Sequence, residues 1–316
     1  MMIKQKYVEQ NIQKTMESID TFKALCKHSQ KSLKKLLYSE ILPVFFEDEE
    51  LTFEDGYIYA KGEIPIMLLA HMDTVFRKPP TLFIHDKENR LLTSPHGLGG
   101  DDRCGVYGII ALLLSGQKPH ILFTEDEEIG GVGAGKAASK MKKPEGVKYL
   151  IQLDRRGTED AVFYSCDNKD FHSYVEDFGF KKASGSFTDI STLMPTWDLC
   201  GVNLSIGYHN EHSKNEYVDL EAMEQTILKV SNMLNNPPEQ EFEYIEKVYV
   251  KKKWSGRLSS WSNYYDELYK DELDRLDNHN INPTLPCNCC GGESSLVTSK
   301  YNLDLCSDCY DLLTEL

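Results

Sequence analysis

Four short apolar segments, separated by helical patterns, constrain the fold of this chain more than any other feature. The segments are IPIMLLA (64–70), HILFT (120–124), YLIQL (149–153) and GVNLSIG (201–207). The helical patterns are at 105–116, 133–143, 188–194 and 219–235. Short apolar runs of this kind are typical of strands buried on both faces. We therefore predict a three-layer α/β/α domain with a central mixed, mostly parallel sheet.

Changes in composition divide the chain into four predicted segments. Residues 1–45 have apolar positions at helical spacing, and we expect a helical segment packed on the main domain. The main domain covers 46–236 and opens with the β-hairpin LTFEDGYIYAKG, which turns at Asp55-Gly56. A linker or helical extension over 237–284 precedes a Cys-rich module over 285–316.

The charge and hydropathy of the chain limit its partners. The formal net charge is −15, so nucleic acid is not an expected partner, because phosphate binding normally requires a basic surface. No apolar run is long enough to cross a bilayer, and MMIKQKYVEQNIQK lacks the apolar core of a signal peptide. We therefore expect no membrane association and a cytoplasmic location.

Acidic and histidine side chains follow each predicted strand or lie in the Gly-rich loop GLGGDDRCG. These residues are His71, Asp73, Asp101, Asp102, Glu127, Glu128, Asp154 and His212. In open α/β sheets, ligands bind beyond the carboxyl ends of the strands, so we expect these side chains to meet at one edge. Each motif alone is more often a polar loop or a helix cap. Their joint occurrence favours a functional site.

Imidazole and carboxylate groups together suit zinc and related divalent metals. Three carboxylates and two neutral histidines, with two divalent cations, leave a charge that a bridging hydroxide would balance. One residue of the Glu127-Glu128 pair can bind a metal while the other acts as general base. Asp73 can accept the second ring N–H of His71. The sequence therefore indicates a two-metal hydrolase.

Five segments resemble the signature motifs of the co-catalytic zinc exopeptidases, a superfamily of aminopeptidases, tripeptidases, deacylases and carboxypeptidases. The segments are HMDTV, GGDDRCG, TEDEEIGG, the strand-ending LD and GYHNEHSKNE. They occur in the family's order over roughly residues 50–236. The resemblance implies an aminopeptidase or small-peptide peptidase that acts on peptides or small amides.

The resemblance also implies a role for each residue. His71 and Asp154 would bind one metal, Glu128 and His212 the other, and Asp101 would bridge the two. Glu127 would be the general base, and Asp73 would support His71. We choose Asp101 over Asp102 because the bridging aspartate of the family is the first of the pair, often before a cis peptide.

The substrate and the metal stay open at this stage. Zinc is the expected metal, and cobalt or manganese would also serve. A deacylase acting on N-acyl amino acids would use the same centre, and a non-catalytic peptidase-like scaffold is the alternative from another class. Only 57 residues separate Asp154 from His212, too few for the separate domain that some relatives insert there. This spacing favours the compact aminopeptidase-like branch.

A second metal site is predicted near the C-terminus. Cys287 and Cys290 form one C-x-x-C pair, and Cys306 and Cys309 form another, at the spacing of a structural zinc site. The segment resembles a zinc ribbon, and Cys289 is left over. A module this short would need the metal in order to fold. The expected function of the module is either docking to a protein partner or a structural role.

Overall fold

The computed structural model describes residues 19–247, together with the backbone of 297–298 and 304–305. The chain divides into two compact units, Met1–Val248 and Tyr249–Leu316. The part of the predicted linker or helical extension beyond residue 247 and the four C-terminal cysteines of the predicted zinc site lie outside the described residues. None of the helices in the described part of the chain is long and apolar enough to span a membrane.

The strands of the first unit are short and run from residue 51 to residue 219. They are β1 (Leu51–Glu54), β2 (Tyr57–Ala60), β3 (Ile64–His71), β4 (Ile84–Asp86), β5 (Leu91–Thr93), β6 (Pro119–Thr124), β7 (Leu150–Arg155), β8 (Asp160–Val162), β9 (Lys181–Ala183), β10 (Gly201–Ser205), β11 (Tyr208–His209) and β12 (Tyr217–Asp219). Eight of them form one sheet in the order β1-β2-β6-β3-β7-β10-β8-β9. The inner strands β6, β3, β7 and β10 are parallel to one another.

In the described part of the first unit, two α-helices precede the first strand, four lie between strands, and one follows the last strand of this unit. They are α1 (Asp20–Cys26), α2 (Gln30–Leu36), α3 (Gly100–Leu114), α4 (Val132–Lys140), α5 (Lys169–Glu176), α6 (Asp189–Trp197) and α7 (Leu220–Asn235). Helix α3 packs on β3 and β7 and contacts α1 and α7, whereas α4 and α6 pack against each other. The inner strands β6 and β10 are buried along their whole length, as expected for a sheet covered on both faces. The predicted mixed, mostly parallel α/β fold is confirmed.

Most predicted elements match the structure within a few residues. The hairpin turns where expected, with Gly56 at φ +99° between β1 and β2. Asp219 caps α7 by accepting hydrogen bonds from the backbone N–H groups of Glu221 and Ala222 at 2.9 and 3.0 Å. Helix α3 spans Gly100–Leu114, whereas the prediction began at residue 105, but Asp101 and Asp102 have non-helical backbone angles, so its regular turns begin only after Asp102.

A second, antiparallel sheet was not predicted. Its order is β11-β12-β5-β4, and its strands have two or three residues each, too few to show an alternating pattern. Strands β12 and β5 pair through Val218 and Leu92. This small sheet is important for the site because β11 and β12 flank the loop that carries His212.

Contacts of the first unit continue past residue 236, where the predicted main domain ends. The backbone N–H of Cys200 donates to the carbonyl of Phe242 at 2.9 Å, and that of Asp167 donates to Ile245 at 2.7 Å. The ring of Phe242 packs against Tyr149 and Phe171. The segment up to residue 247 is therefore part of the first unit's packing, and the predicted boundary itself stays a prediction.

Candidate metal centre

The parallel register of the inner strands brings four chain segments to one edge of the sheet. His71, the last residue of β3, pairs with Thr124 at the end of β6. Ser205 at the end of β10 pairs with Arg155, the residue after Asp154. The Glu127-Glu128 pair follows β6 closely, and the His212 loop follows β10. The polar residues that follow the inner strands in the sequence therefore lie in a single cluster at the carboxyl ends of these strands.

Among the described residues, two groups of side chains have ligand atoms that lie within 4.8 Å of one another. The first group is His71, Asp101 and Asp154, and the second is Asp101, Glu128 and His212. The Nε2 atom of His71 is 3.0 Å from Asp101 Oδ1 and 3.4 Å from Asp154 Oδ1. The Nε2 atom of His212 is 3.2 Å from Asp101 Oδ2 and 2.9 Å from Glu128 Oε2. Asp101 belongs to both groups, and the other members of the two groups differ.

Asp101 thus presents one carboxylate oxygen to each histidine, as a ligand shared by two cations would. Its side chain is 10% exposed, whereas that of His212 is 52% exposed. The first group is therefore buried, and the second opens toward solvent. The peptide bond between Asp101 and Asp102 is cis. The Asp102 carboxylate belongs to neither group and instead accepts the backbone N–H groups of His71 and Gly105 at 3.2 and 2.8 Å.

Glu216 holds the loop that carries Asp101. One of its carboxylate oxygens accepts the N–H groups of Leu98 and Gly99 at 3.0 and 2.6 Å, and the other accepts that of Asp101 at 3.1 Å. The residue is fully buried, which raises its pKa to about 7. The sequence interpretation gave Glu216 no role. The signal available was its place four residues after His212, in the HSKNE segment of the fifth motif.

Asp73 connects His71 with the Glu127-Glu128 pair. Its Oδ1 atom lies 3.1 Å from His71 Nδ1 and accepts the backbone N–H of Glu127 at 3.0 Å. Its Oδ2 atom accepts the backbone N–H of Glu128 at 3.0 Å. A carboxylate at Nδ1 keeps the ring proton there and leaves Nε2 of His71 facing Asp101 and Asp154. One side chain therefore orients an imidazole and the backbone of both glutamates.

Asp154 is held by hydroxyl groups from two other elements. Its Oδ2 atom accepts the hydroxyl of Thr188 at 2.7 Å, and its Oδ1 atom accepts the hydroxyl of Tyr208 at 3.1 Å. Burial raises its pKa to about 6. Thr188 is the N-cap of α6, and Tyr208 lies in β11. The long-range partners of Asp154 could not be identified from sequence spacing.

Glu127 lies beside the two groups without belonging to either. Burial raises the pKa of its carboxyl to about 9, and the nearby charges of Asp154, Asp189 and Glu128 act in the same direction. At a pKa of about 9 this carboxyl holds a proton at neutral pH, and positive charge bound at the neighbouring groups would lower its pKa toward the range that a general base requires.

Asp189 lies under the same edge of the sheet. It is the first residue of α6 and is fully buried, which raises its pKa to about 7. The Thr124 hydroxyl donates to its Oδ2 atom, while its Oδ1 atom has no hydrogen-bond partner. The structure places it at the helix start, with Thr188 as the cap.

The charged residues around the centre are paired with one another. Arg155 hydrogen-bonds to Asp160 at 3.2 Å, and Arg156 donates to Glu211 at 2.7 Å. His209 stacks on Tyr217 with ring centroids 4.8 Å apart. A cavity of about 410 Å³ is lined by Arg156, Gly157, Asp160, His209, Asn210 and Glu211. Two of the lining residues are close to candidate ligands in the sequence, since Arg156 follows Asp154 by two residues and Glu211 precedes His212.

The donor set fits two divalent cations. A neutral Nε2 and a carboxylate oxygen are both acceptors, so at about 3 Å each such contact needs a proton or a cation between its atoms. The hydrogen bonds that His212 makes with the carboxylates of Asp101 and Glu128 raise its pKa to about 11. Burial would lower the pKa of His71, but the carboxylates of Asp154, Asp101 and Asp73 raise it well above its usual value. The arrangement is thus suited to binding positive charge.

Comparisons with known proteins support the fold. The sequence matches no protein-family model and no curated protein. A solved tripeptidase from Staphylococcus aureus has a similar structure, with a TM-score of 0.56 and 13% identity over 72% of this chain and 98% of that one. An aminopeptidase, PepT from Bacillus cereus, has a TM-score of 0.53 and 14% identity over 72% and 98% of the two chains. At these identities the likeness shows the fold, which is the one the resemblance implied.

Replacement of Asp73 by Asn should weaken metal binding about 10- to 100-fold, the usual effect of losing the outer partner of a metal-binding histidine. Asn has one acceptor oxygen and an NH2 donor in place of the second oxygen, so it cannot accept the N–H groups of Glu127 and Glu128 at two different atoms. Metal affinity is measured by competition with a chromogenic chelator. Asp86→Asn is the matched control, since Asp86 caps an exposed turn through Glu88 and Asn89. Equal affinities for both variants would contradict this role.

The affinity for a divalent metal should increase with pH across the neutral range. His71 and His212 must be neutral to bind a cation, and their raised pKa values mean that the cation displaces protons at pH 7. Each displaced proton gives about a tenfold gain in affinity per pH unit. Calorimetry in two buffers of different ionisation enthalpy counts the released protons. An affinity that does not change between pH 6 and 9 would show that these imidazoles are not ligands.

Proposed function

We propose that this protein is a metal-dependent peptidase that hydrolyses peptide bonds near a free terminus. The observation that carries the proposal is the pair of ligand groups joined by Asp101, with the unliganded carboxyl of Glu127 beside them. The tripeptidase and the aminopeptidase with the same fold support a peptide substrate. His71 and Asp154 would hold one cation, Glu128 and His212 the other, and Asp101 both.

Zinc is the proposed metal, and cobalt or manganese would suit the same donors. Two bound cations would supply a water of lowered pKa and polarise the scissile carbonyl. Glu127 would accept a proton from the attacking water and transfer it to the leaving amine. The charges of His71, Asp154 and Glu128 act on the pKa of this carboxyl, which supports its place beside the proposed ligands. Asp73 would keep His71 and both glutamates in place through its three hydrogen bonds.

The site is suited to short substrates that enter from solvent. The residues between Asp154 and His212 form β8, α5, β9, α6, β10 and β11, so this interval holds elements of the two sheets and their helices. The exposed side of His212 and the cavity beside Arg156 and Glu211 offer space for a peptide terminus. Arg156 and Glu211, which pair with each other at 2.7 Å, would exchange this contact for the carboxylate and the ammonium group of a peptide. Both ends of a small peptide therefore have a complementary charge nearby.

Two further proposals follow from the sequence. The first unit holds four buried free cysteines, Cys26, Cys104, Cys166 and Cys200, and we propose the reducing cytoplasm as the location of the protein.

One structural zinc is proposed to bind to the C-terminal cysteines Cys287, Cys290, Cys306 and Cys309. Their spacing supports this site, and a protein partner is the proposed target of the module.

Replacement of Glu127 by Gln should lower kcat by about 100- to 10,000-fold, the usual contribution of a general base, and leave metal content unchanged. The amide has the same shape but cannot accept the proton. Initial rates on dipeptides, tripeptides, amino-acid p-nitroanilides and N-acetyl amino acids give both the activity and the substrate class. Glu145→Gln, on an exposed loop, is the control.

Two results would overturn the proposal. Full activity of the Glu127→Gln variant would exclude Glu127 as the proton carrier. A wild-type protein that contains two metals and cleaves none of the peptide substrates would exclude the peptidase assignment. Turnover of N-acetyl amino acids alone would assign the centre to a deacylase instead.

A further inference from the structure

The N-terminal helical segment contacts the loop that carries Glu127 and Glu128. Gln30, the first residue of α2, donates from Nε2 to Asp126 Oδ1 at 2.8 Å. Its Oε1 atom accepts the backbone N–H of Asp126 at 3.0 Å. One amide side chain therefore binds both the backbone and the side chain of the residue directly before Glu127. These contacts span 96 positions of the sequence, so no local pattern predicts them.

Asp126 has a backbone conformation that needs external support. Its φ is +60°, in the left-handed region that residues other than glycine rarely adopt. The conformation turns the chain between β6 and the Glu127-Glu128 pair. Because the Gln30 amide satisfies the N–H of Asp126 in this geometry, it stabilises the turn that aims both glutamates at the centre.

Lys34 fixes the preceding residue from the same helix. Its Nζ atom is 2.5 Å from Glu125 Oε2 and 2.6 Å from the carbonyl oxygen of Glu54. The same Glu125 oxygen accepts the N–H of Gly56 at 3.0 Å. Both charged side chains are largely buried, with 7% and 16% of their surface exposed. Two adjacent residues of the loop are thus tied to α2 immediately before the catalytic pair.

Arg103 connects the N-terminal segment with a second loop of the site. Its Nη2 atom donates to the carbonyl of His28 at 3.1 Å, and its Nη1 atom donates to the carbonyl of Met72 at 2.6 Å. Met72 lies between His71 and Asp73. The segment from His28 to Lys34 therefore contacts, directly or through Arg103, the loops that carry two candidate ligands and the candidate base.

We propose that Gln30 is a positioning residue for Glu127 and Glu128, and that α2 is a structural part of the active site. This inference rests on the proposed peptidase function for its effect on turnover, but the contact itself can be tested without turnover. Gln30 touches no substrate, and it acts by fixing Asp126. Misplacement of a catalytic group by about 1 Å can cost about 100-fold in rate, so loss of both hydrogen bonds should be visible in kcat.

The test compares Gln30→Met with Gln117→Met in the full-length protein. Both changes replace a hydrogen-bonded glutamine by an apolar side chain of similar length. Gln117 donates to the carbonyl of Ser231 at 2.9 Å, following α3 at the end of the helix opposite Asp101. We expect a 10- to 100-fold lower kcat for Gln30→Met, with a much smaller change in KM. Gln117→Met should keep wild-type kcat even if its melting temperature falls.

Hydrogen–deuterium exchange of the amides at 126–131 gives a readout that does not depend on peptidase activity. Exchange should become faster in Gln30→Met and stay unchanged in Gln117→Met. A wild-type protein without turnover would refute the proposed function, while faster exchange in Gln30→Met would still support the positioning contact. Unchanged exchange would overturn the inference even if kcat fell.

A reversal of donor and acceptor tests whether the hydrogen bond itself matters. Gln30→Glu alone places a carboxylate against Asp126 and should lower kcat at least as much as Gln30→Met. The double variant Gln30→Glu/Asp126→Asn restores one donor and one acceptor, because the new amide can donate to the new carboxylate. Recovery of kcat to within about threefold of wild type supports the positioning role. A double variant as slow as Gln30→Glu would overturn it.

Discussion

The carboxylate of Asp101, placed between the imidazoles of His71 and His212, is the constraint on which the rest of the site depends. It makes two ligand groups into one centre, since each oxygen faces a different histidine. A buried carboxylate needs hydrogen bonds and positive charge nearby. The surroundings supply fixed hydrogen bonds: Glu216 holds the Asp101 loop, Asp73 holds His71, and hydroxyl groups hold Asp154. Bound cations would supply the remaining charge.

The sequence was sufficient to predict the main fold and the residues that meet, because both follow from local patterns. Each inner strand is an apolar run, and parallel strands bring the residues after them to one edge. His71, Asp154 and the glutamate pair each lie at or just after such a run. Their assignment as ligands and base remains a proposal.

The parts that sequence reasoning missed are long-range or too short to have a period. Strands of two or three residues, such as β11 and β12, gave no alternation. Glu216 holds Leu98 and Gly99 across more than one hundred positions, and Gln30 reaches Asp126 across 96. Each is a single polar side chain whose partner is set by tertiary packing. An N-terminal segment that was expected only to pack on the main domain therefore contacts the site loops.

X-ray diffraction from crystals of the zinc-loaded protein, with data on both sides of the zinc absorption edge, would locate each cation relative to Asp101. We expect two anomalous peaks about 3.5–4 Å apart, as in two-metal hydrolases, with Asp101 between them. One peak would lie among His71, Asp101 and Asp154, and the other among Asp101, Glu128 and His212. A single peak at this edge of the sheet, or two peaks that Asp101 does not bridge, would contradict the shared-carboxylate centre.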